Sequence, residues 1–301
     1  MKKFLIKVIA FLLIIIAFVC VLLEFTPVNR AAYMYEYRNK LERLDTLSEP
    51  RLILVGGSNL AFSIDSEMIS DSLSINVANM GLHGSMGLRY MLSSILERVK
   101  ADDIIVVMPE YRQFFDYYNG RGNILSPAFF YASDHDISNL NFEQISNIVT
   151  GAPSYITGNI LFRKSDQFQY SADNFNEYGD EIVHRAEGHR KFGAPSNINQ
   201  NVDEYALNDL AEKISELREK GCRVYLFGPN TIESNYLKNQ KAIQEMNEAL
   251  SKRDLYFSVS PDYFVQPDSM AFDTPYHLNG DGAIEAAKRF IEIYRSLGIA
   301  N

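Results

Sequence analysis

Apolar positions along the chain fall into one long run and several short ones. Val8–Leu23 is sixteen residues without a charge, a proline or a glycine. Counted from Phe4, with Lys7 snorkelling, the run is twenty residues long. As a helix rising ~1.5 Å per residue it covers roughly 30 Å, the thickness of a bilayer's hydrocarbon core. It exceeds the ~7–15 apolar residues of a cleaved signal, and no small-residue cleavage site follows it in Glu24-Phe25-Thr26-Pro27. An uncleaved transmembrane anchor over residues 1–25 is therefore expected. Lys2, Lys3 and Lys7 precede the span, so the positive-inside rule puts the N-terminus in the cytoplasm and residues 26–301 outside it. ATP and NAD are scarce there, which counts against kinases and dehydrogenases.

The short runs predict a sheet. Residues 26–50 are charged and aromatic (Tyr33, Tyr35, Tyr37), read as a helical stalk, and end at Pro50. Arg51–Val55, Ser74–Ala78, Asp103–Met108, Arg223–Phe227 and Tyr256–Val259 are too short for helices and predict five buried strands. Met86–Val99, Glu204–Lys220, Asn235–Lys252 and Gly282–Leu297 read as helices, with Gly221 and Gly298 as stop signals after two of them. Apolar strands alternating with amphipathic helices predict an α/β domain over residues 51–301. Its form is three-layer, α/β/α and flavodoxin-like, around a five-stranded parallel sheet. Ligands of such sheets bind beyond the carboxyl ends of the strands. Gln113–Val202, about ninety residues between the third and fourth strands, shows no clean periodicity and is expected to be an insertion or lid.

Composition narrows the class. Hydrophobic residues make up 47% and charged residues 22%, which excludes a disordered chain. The first thirty residues carry Lys2, Lys3, Lys7 and Arg30 against Glu24, a net of +3; the whole chain is at −9, so the rest carries −12. A body that acidic lacks the footprint of a nucleic-acid binder. Cys20 lies in the apolar run and Cys222 stands alone, so neither a disulfide nor a cysteine zinc cluster is expected. No cofactor is implied.

Chemistry concentrates at two strand ends. Ser58 follows the first strand in Gly56-Gly57-Ser58-Asn59-Leu60, where the glycines permit a tight turn and the serine begins a helix. Ser58 is then either a nucleophile or a simple helix cap. Leu60 rules out a G-x-S-x-G elbow, and no lysine follows to make a P-loop. Asp273-Thr274-Pro275-Tyr276-His277 precedes the last helix, close enough in sequence for the carboxylate to fix the imidazole tautomer. Ser58, His277 and Asp273 thus make a candidate nucleophilic triad. His83 is a loop histidine, either a hydrogen-bonding group or a substrate contact. His135, His184 and His189 lie in the insertion, and Asp134-His135-Asp136 lacks a third ligand at metal-site spacing, so no metal is expected. Phe114, Phe115, Tyr117, Tyr118, Phe129, Phe130 and Tyr131 either stack on sugar rings or pack the insertion's own core.

These residues resemble the SGNH (GDSL-like) hydrolase superfamily over roughly Arg51–Leu297, with the insertion unmatched. Gly56-Gly57-Ser58 is similar to the first block, Gly-Asp-Ser, with Gly57 in place of the aspartate. Gly81, in Asn79-Met80-Gly81-Leu82-His83-Gly84, is similar to the second-block glycine; the resemblance implies that its N–H joins that of Ser58 in an oxyanion hole. Asp273 and His277 are similar to the fifth block, with one residue more between them than the usual Asp-x-x-His. The third block departs: where the family has an oxyanion-donating asparagine, this chain reads Pro109-Glu110-Tyr111. A carboxylate does not donate unless protonated, so either Asn59 or Asn79 substitutes or the hole has two backbone donors.

Within the superfamily the likeness is to membrane-anchored extracytoplasmic members such as DltD and the alginate O-acetylation proteins. It implies serine-dependent acyl transfer at the cell membrane, with O-acylation of a cell-envelope polysaccharide. The implied partners are an acyl donor, a glycan acceptor and a membrane-bound O-acyltransferase. A glycan esterase (deacetylase) and a non-catalytic scaffold that binds glycan or a membrane partner are the alternatives.

Overall fold

The computed structural model describes residues 1–132, 136–161 and 170–299. Helix α1 (Lys2–Glu24) is long and apolar enough to cross a membrane and is not buried against the rest of the chain. A short 3-10 turn (Tyr33–Tyr35) leads into α2 (Glu36–Thr46). Expected as a stalk, α2 instead packs on the sheet, burying Tyr37, Leu41 and Leu44 completely or nearly so.

Strand β1 (Arg51–Gly56) is followed by α3 (Ser58–Ala61), α4 (Ser66–Leu73), β2 (Asn76–Asn79), α5 (Leu88–Leu96) and β3 (Ile104–Met108). The insertion contributes α6 (Gly122–Tyr131) and α7 (Phe142–Ile160), then α8 (Glu204–Glu219) leads into β4 (Arg223–Leu226). These strands form one parallel sheet of four, ordered β2-β1-β3-β4. Residues alternate between faces as the pleat requires. Ile53, Val55, Ile105, Val107, Val224 and Leu226 face a core shared with α2, α5 and α8. Leu52, Leu54, Val77, Ile104, Val106 and Met108 face α4 and the last helix. Both faces being covered is why these strands are continuous apolar runs.

The fifth strand does not form. Tyr256–Val259 runs beside β4 but makes a single ladder bond, from the Ser258 N–H to the Leu226 carbonyl at 2.8 Å. Tyr256 is exposed and Phe257, Ser258 and Val259 are only half-buried, so the run lies along the sheet's edge without the cover that a buried strand has. The Pro261 carbonyl also lies 2.4 Å from where a Cβ on Gly228 would stand.

Beyond the sheet come β5 (Thr231–Ile232), α9 (Glu233–Ser251), β6 (Val265–Gln266), β7 (Ala271–Thr274), β8 (His277–Leu278) and α10 (Gly280–Ser296). β5 pairs with β6 in parallel. β7 and β8 form an antiparallel hairpin around Pro275-Tyr276. The candidate Asp and His therefore come from a hairpin rather than from an open loop.

Candidate functional site

Ser58 is placed by strand register. Gly56 of β1 pairs with Met108 of β3 in parallel, and two residues further along each strand stand Ser58 and Glu110. Ser58 is the first residue of α3 and Gly57 is its cap, so the serine side chain does not cap the helix. Both the Ser58 hydroxyl and the Ser58 N–H donate to Glu110 Oε1, each at 2.9 Å.

Glu110 is held in a cradle with no room to spare. Its N–H donates to Gln113 Oε1 at 3.0 Å, and Gln113 Nε2 donates to the Gly84 carbonyl at 3.1 Å. A Cβ on Gly57 would stand 2.3 Å from Oε1, and one on Gly84 would stand 2.3 Å from Oε2. Gly57 and Glu110 thus occupy adjoining space. Burial pushes the Glu110 carboxyl above its ordinary range, against the pull of the Ser58 hydroxyl, His277 and the Asn59 and Ser58 amides.

Gly57→Ala should accordingly cost about 1–3 kcal/mol through overpacking, since its φ of −85° adds no backbone strain. A urea midpoint checks this; an unchanged midpoint would mean that the carboxylate moves aside freely.

The second half of the site is the β7–β8 hairpin. His277 Nδ1 meets Asp273 Oδ1 at 2.7 Å. The other carboxylate oxygen accepts from the Tyr170 hydroxyl at 2.9 Å. The hairpin takes up the three residues between Asp273 and His277: Thr274 pairs with His277, which brings the ring back beside Asp273. Burial pushes the Asp273 carboxyl up, but the His277 hydrogen bond and charge and the Tyr170 bond outweigh it and hold it below its ordinary value. The imidazole stacks on Phe62, with ring centres 4.0 Å apart and planes 10° from parallel. Ser63 pins the strand by accepting from the Leu278 N–H and donating to the Tyr276 carbonyl, both at 2.8 Å. Nε2 of His277 has no hydrogen-bond partner among the described residues, and the Ser58 hydroxyl is bonded to Glu110 instead. His277 still influences Glu110 and His83 through its charge.

The expected oxyanion groups are otherwise engaged. The Gly81 N–H donates to Asn79 Oδ1 at 3.0 Å. Asn79 Nδ2 donates to the Leu60 carbonyl at 2.9 Å and to Asp180 at 2.8 Å. Asn59 Nδ2 donates to the Met108 carbonyl at 3.0 Å. Both asparagine amides therefore brace backbone and neither is aimed at Ser58. His83 Nδ1 accepts from the Ser85 N–H at 3.1 Å; burial, then the charge of His277, push it down to about 4, so it is neutral near pH 7.

Several contributors carried no sequence signal. Asp180 accepts from Ser66 and Asn79 and pairs with Arg185, tying the insertion to the second strand's end. His184 pairs with Glu181, and its Nε2 donates to the Leu278 carbonyl at 2.9 Å behind the hairpin. Lys40 of α2 donates to the Asn79 and Gly179 carbonyls; burial pushes its ammonium down to about 8 despite Glu36. Tyr33 donates to the Leu82 carbonyl at 2.6 Å and packs on Phe62 and Tyr170.

The seven aromatics singled out in the insertion pack inward or under arginines. Phe114, Phe115, Tyr118, Phe129 and Tyr131 are buried, Phe130 is half-buried against the same cluster, and Tyr117 lies under Arg112 and Arg121. They offer no sugar platform. His135 and Asp134 lie outside the described residues; Asp136 accepts from Ser138, and His189 meets the Ala271 carbonyl at 2.9 Å. Among the described residues no group of three acidic, histidine or cysteine side chains is placed to hold a metal. Cys222 is buried and donates to the Lys100 carbonyl at 3.3 Å, while Cys20 is exposed on α1. No protein-family model and no curated protein matches the chain.

Proposed function

We propose that the chain is an SGNH-type serine acyltransferase, a three-layer α/β/α domain held outside the cytoplasmic membrane by α1. The observation that supports it most is the Asp273–His277 pair at 2.7 Å, stacked on Phe62 with Nε2 unpartnered among the described residues, beyond the strand ends where β1 delivers Ser58. Asp273 accepts a hydrogen bond from the Nδ1–H, which keeps the proton on Nδ1 and leaves the Nε2 lone pair free to act as base.

The Ser58 hydroxyl first turns from Glu110 to His277. Its oxygen then bonds to the carbonyl carbon of an ester or thioester, its proton passes to Nε2, and the carbonyl π pair moves onto oxygen. Collapse breaks the bond to the leaving alcohol or thiol, which takes the proton back and leaves acyl-Ser58. An acceptor hydroxyl repeats the sequence in reverse. With a cell-envelope polysaccharide as acceptor the protein is an O-acyltransferase, and a membrane-bound O-acyltransferase is the natural source of the acyl group. With water it is an esterase. The glycan acceptor rests on the family resemblance and the anchor alone, because the seven aromatics named above are packed into the core or under arginines.

A specific observation favours the scaffold reading as the second choice: Glu110 holds both donors of Ser58, and Asn79 holds the N–H of Gly81. A partition experiment separates the three. The full-length protein in detergent receives an activated acetyl ester with and without oligosaccharides, and acetylated sugar is weighed against acetate by mass spectrometry. Acetylated sugar in excess is the expected result. Acetate alone with every acceptor identifies an esterase, and neither product identifies a scaffold.

A further inference from the structure

Among the described residues Glu110 is the one charged side chain bonded directly to Ser58, and its position conflicts with catalysis as long as it stays there. When Ser58 Oγ attacks a carbonyl, the carbonyl oxygen must settle against N–H groups within about 2.7–3.1 Å. The nearest such group is the N–H of Ser58 itself, and Glu110 Oε1 already sits 2.9 Å from it. The same oxygen takes the Ser58 hydroxyl at 2.9 Å, which leaves His277 Nε2 without the proton donor that it needs. This is not a loose surface contact. Gly57 and Gly84 each leave out the side chain that would fill the carboxylate's space, and Gln113 fixes the backbone of Glu110.

We propose that Glu110 gates the nucleophile: as a carboxylate it parks the Ser58 hydroxyl and fills the place of the oxyanion, and as the neutral acid it yields that place and donates to the oxyanion. The gate rests on the serine reading above. Neutral Glu110 then does what an amide donor would do, with its O–H aimed at the developing negative charge. A buried carboxylic acid kept neutral for this purpose is chemically sound, since burial raises its affinity for a proton.

The sign of the pH dependence follows from the groups that face Glu110. Its burial favours the neutral form, while the Ser58 hydroxyl and amide bonds, the Asn59 amide and the charge of His277 favour the anion. Tyr33 and Tyr276 feel its charge; burial raises both phenols, so both are neutral throughout the range. His83 is neutral above about 4 and adds no charge. His277 Nε2 must carry no proton to accept one from Ser58. Glu110 must be protonated, which gives a fall on the alkaline side, about tenfold per pH unit once it ionises.

The test is the rate at which a fluorophosphonate probe labels Ser58 in the full-length protein in detergent, from about pH 4 to pH 9, a range that brackets ordinary carboxyl and imidazole titrations. Wild type should show the alkaline fall. Glu110→Gln, whose amide donates and carries no charge, should lose that fall and label faster than wild type at the alkaline end. Glu110→Ala should also lose the fall but label more slowly at the optimum, for want of the donor. Identical profiles for wild type and Glu110→Gln overturn the gate. A uniform loss of labelling in Glu110→Gln at every pH also overturns it and makes Glu110 a base or a purely structural group. Should the glutamine variant fail to fold, the wild-type profile decides: a rate level or rising through the alkaline side overturns the gate, and a one-proton fall supports it. If wild type labels at no pH, the serine reading fails and the gate with it; labelling that ignores Glu110 leaves the serine reading standing.

Discussion

Ser58→Ala should cut turnover of an activated ester by about 10⁴-fold or more while the protein stays folded. The serine oxygen makes one hydrogen bond, to Glu110, and the Ser58 N–H keeps its own bond to the same oxygen after the substitution. Losing one bond to a charged group costs about 1.5–3 kcal/mol at most. His277→Ala should be nearly as damaging, because in the proposed mechanism the imidazole takes the serine proton. The double variant should be no slower than Ser58→Ala alone, since groups that act as a unit do not add. Turnover unchanged in Ser58→Ala would move the chemistry elsewhere in the chain. A collapse of stability instead would assign Ser58 a structural role.

The largest effect on stability is expected at the foot of the sheet. Arg51, the first residue of β1, is almost fully buried. Its guanidinium donates from Nε to Asp103 Oδ1 at 2.8 Å and from Nη2 to the other carboxylate oxygen. It also donates to the Leu44 and Arg98 carbonyls at 3.0 and 3.1 Å. Asp103 in turn accepts from the Lys100 N–H at 2.7 Å. Removing one partner of such a pair leaves the other charge buried and alone, so Asp103→Ala should cost about 3–5 kcal/mol, read as a urea midpoint. Replacing both, as Arg51→Met with Asp103→Leu, should recover much of that loss, because desolvating the pair offsets most of its attraction. A loss below about 1 kcal/mol in Asp103→Ala would mean that water reaches Arg51. The bond reaches the site as well. Arg51 holds the end of α2 through Leu44, and α2 carries Lys40, which clamps the carbonyl of Asn79 beside Gly81.

What the sequence made legible follows from burial. β1 and β3 are covered on both faces, so Arg51–Val55 and Asp103–Met108 stand out as unbroken apolar runs. Tyr256–Val259 reads the same way, yet it is half-buried to exposed and makes a single ladder bond to β4, because what covers a run is set by neighbours outside it. The insertion hid its helices for a different reason. α6 and α7 contain Pro127 and Pro153, and a proline within an apolar pattern reads as a helix stop. At the site, Ser58, Asp273 and His277 were visible because each belongs to a short local motif. The contact between Ser58 and Glu110 was not, because it depends on the pairing of Gly56 with Met108, and parallel register is not written in either strand alone. The engagement of Asn59 and Asn79 with backbone carbonyls was hidden for the same reason.

The acyl-enzyme itself is the direct test of serine acyl transfer. Full-length protein is mixed with an activated acetyl ester, quenched in acid within the first turnover, and measured by intact mass and peptide mapping. One acetyl group on the peptide that carries Ser58, absent from Ser58→Ala and slow to form in His277→Ala, is the result that this account predicts. An unmodified Ser58 peptide in wild type across the whole pH range, or an acetyl group on another residue that persists in Ser58→Ala, would contradict it.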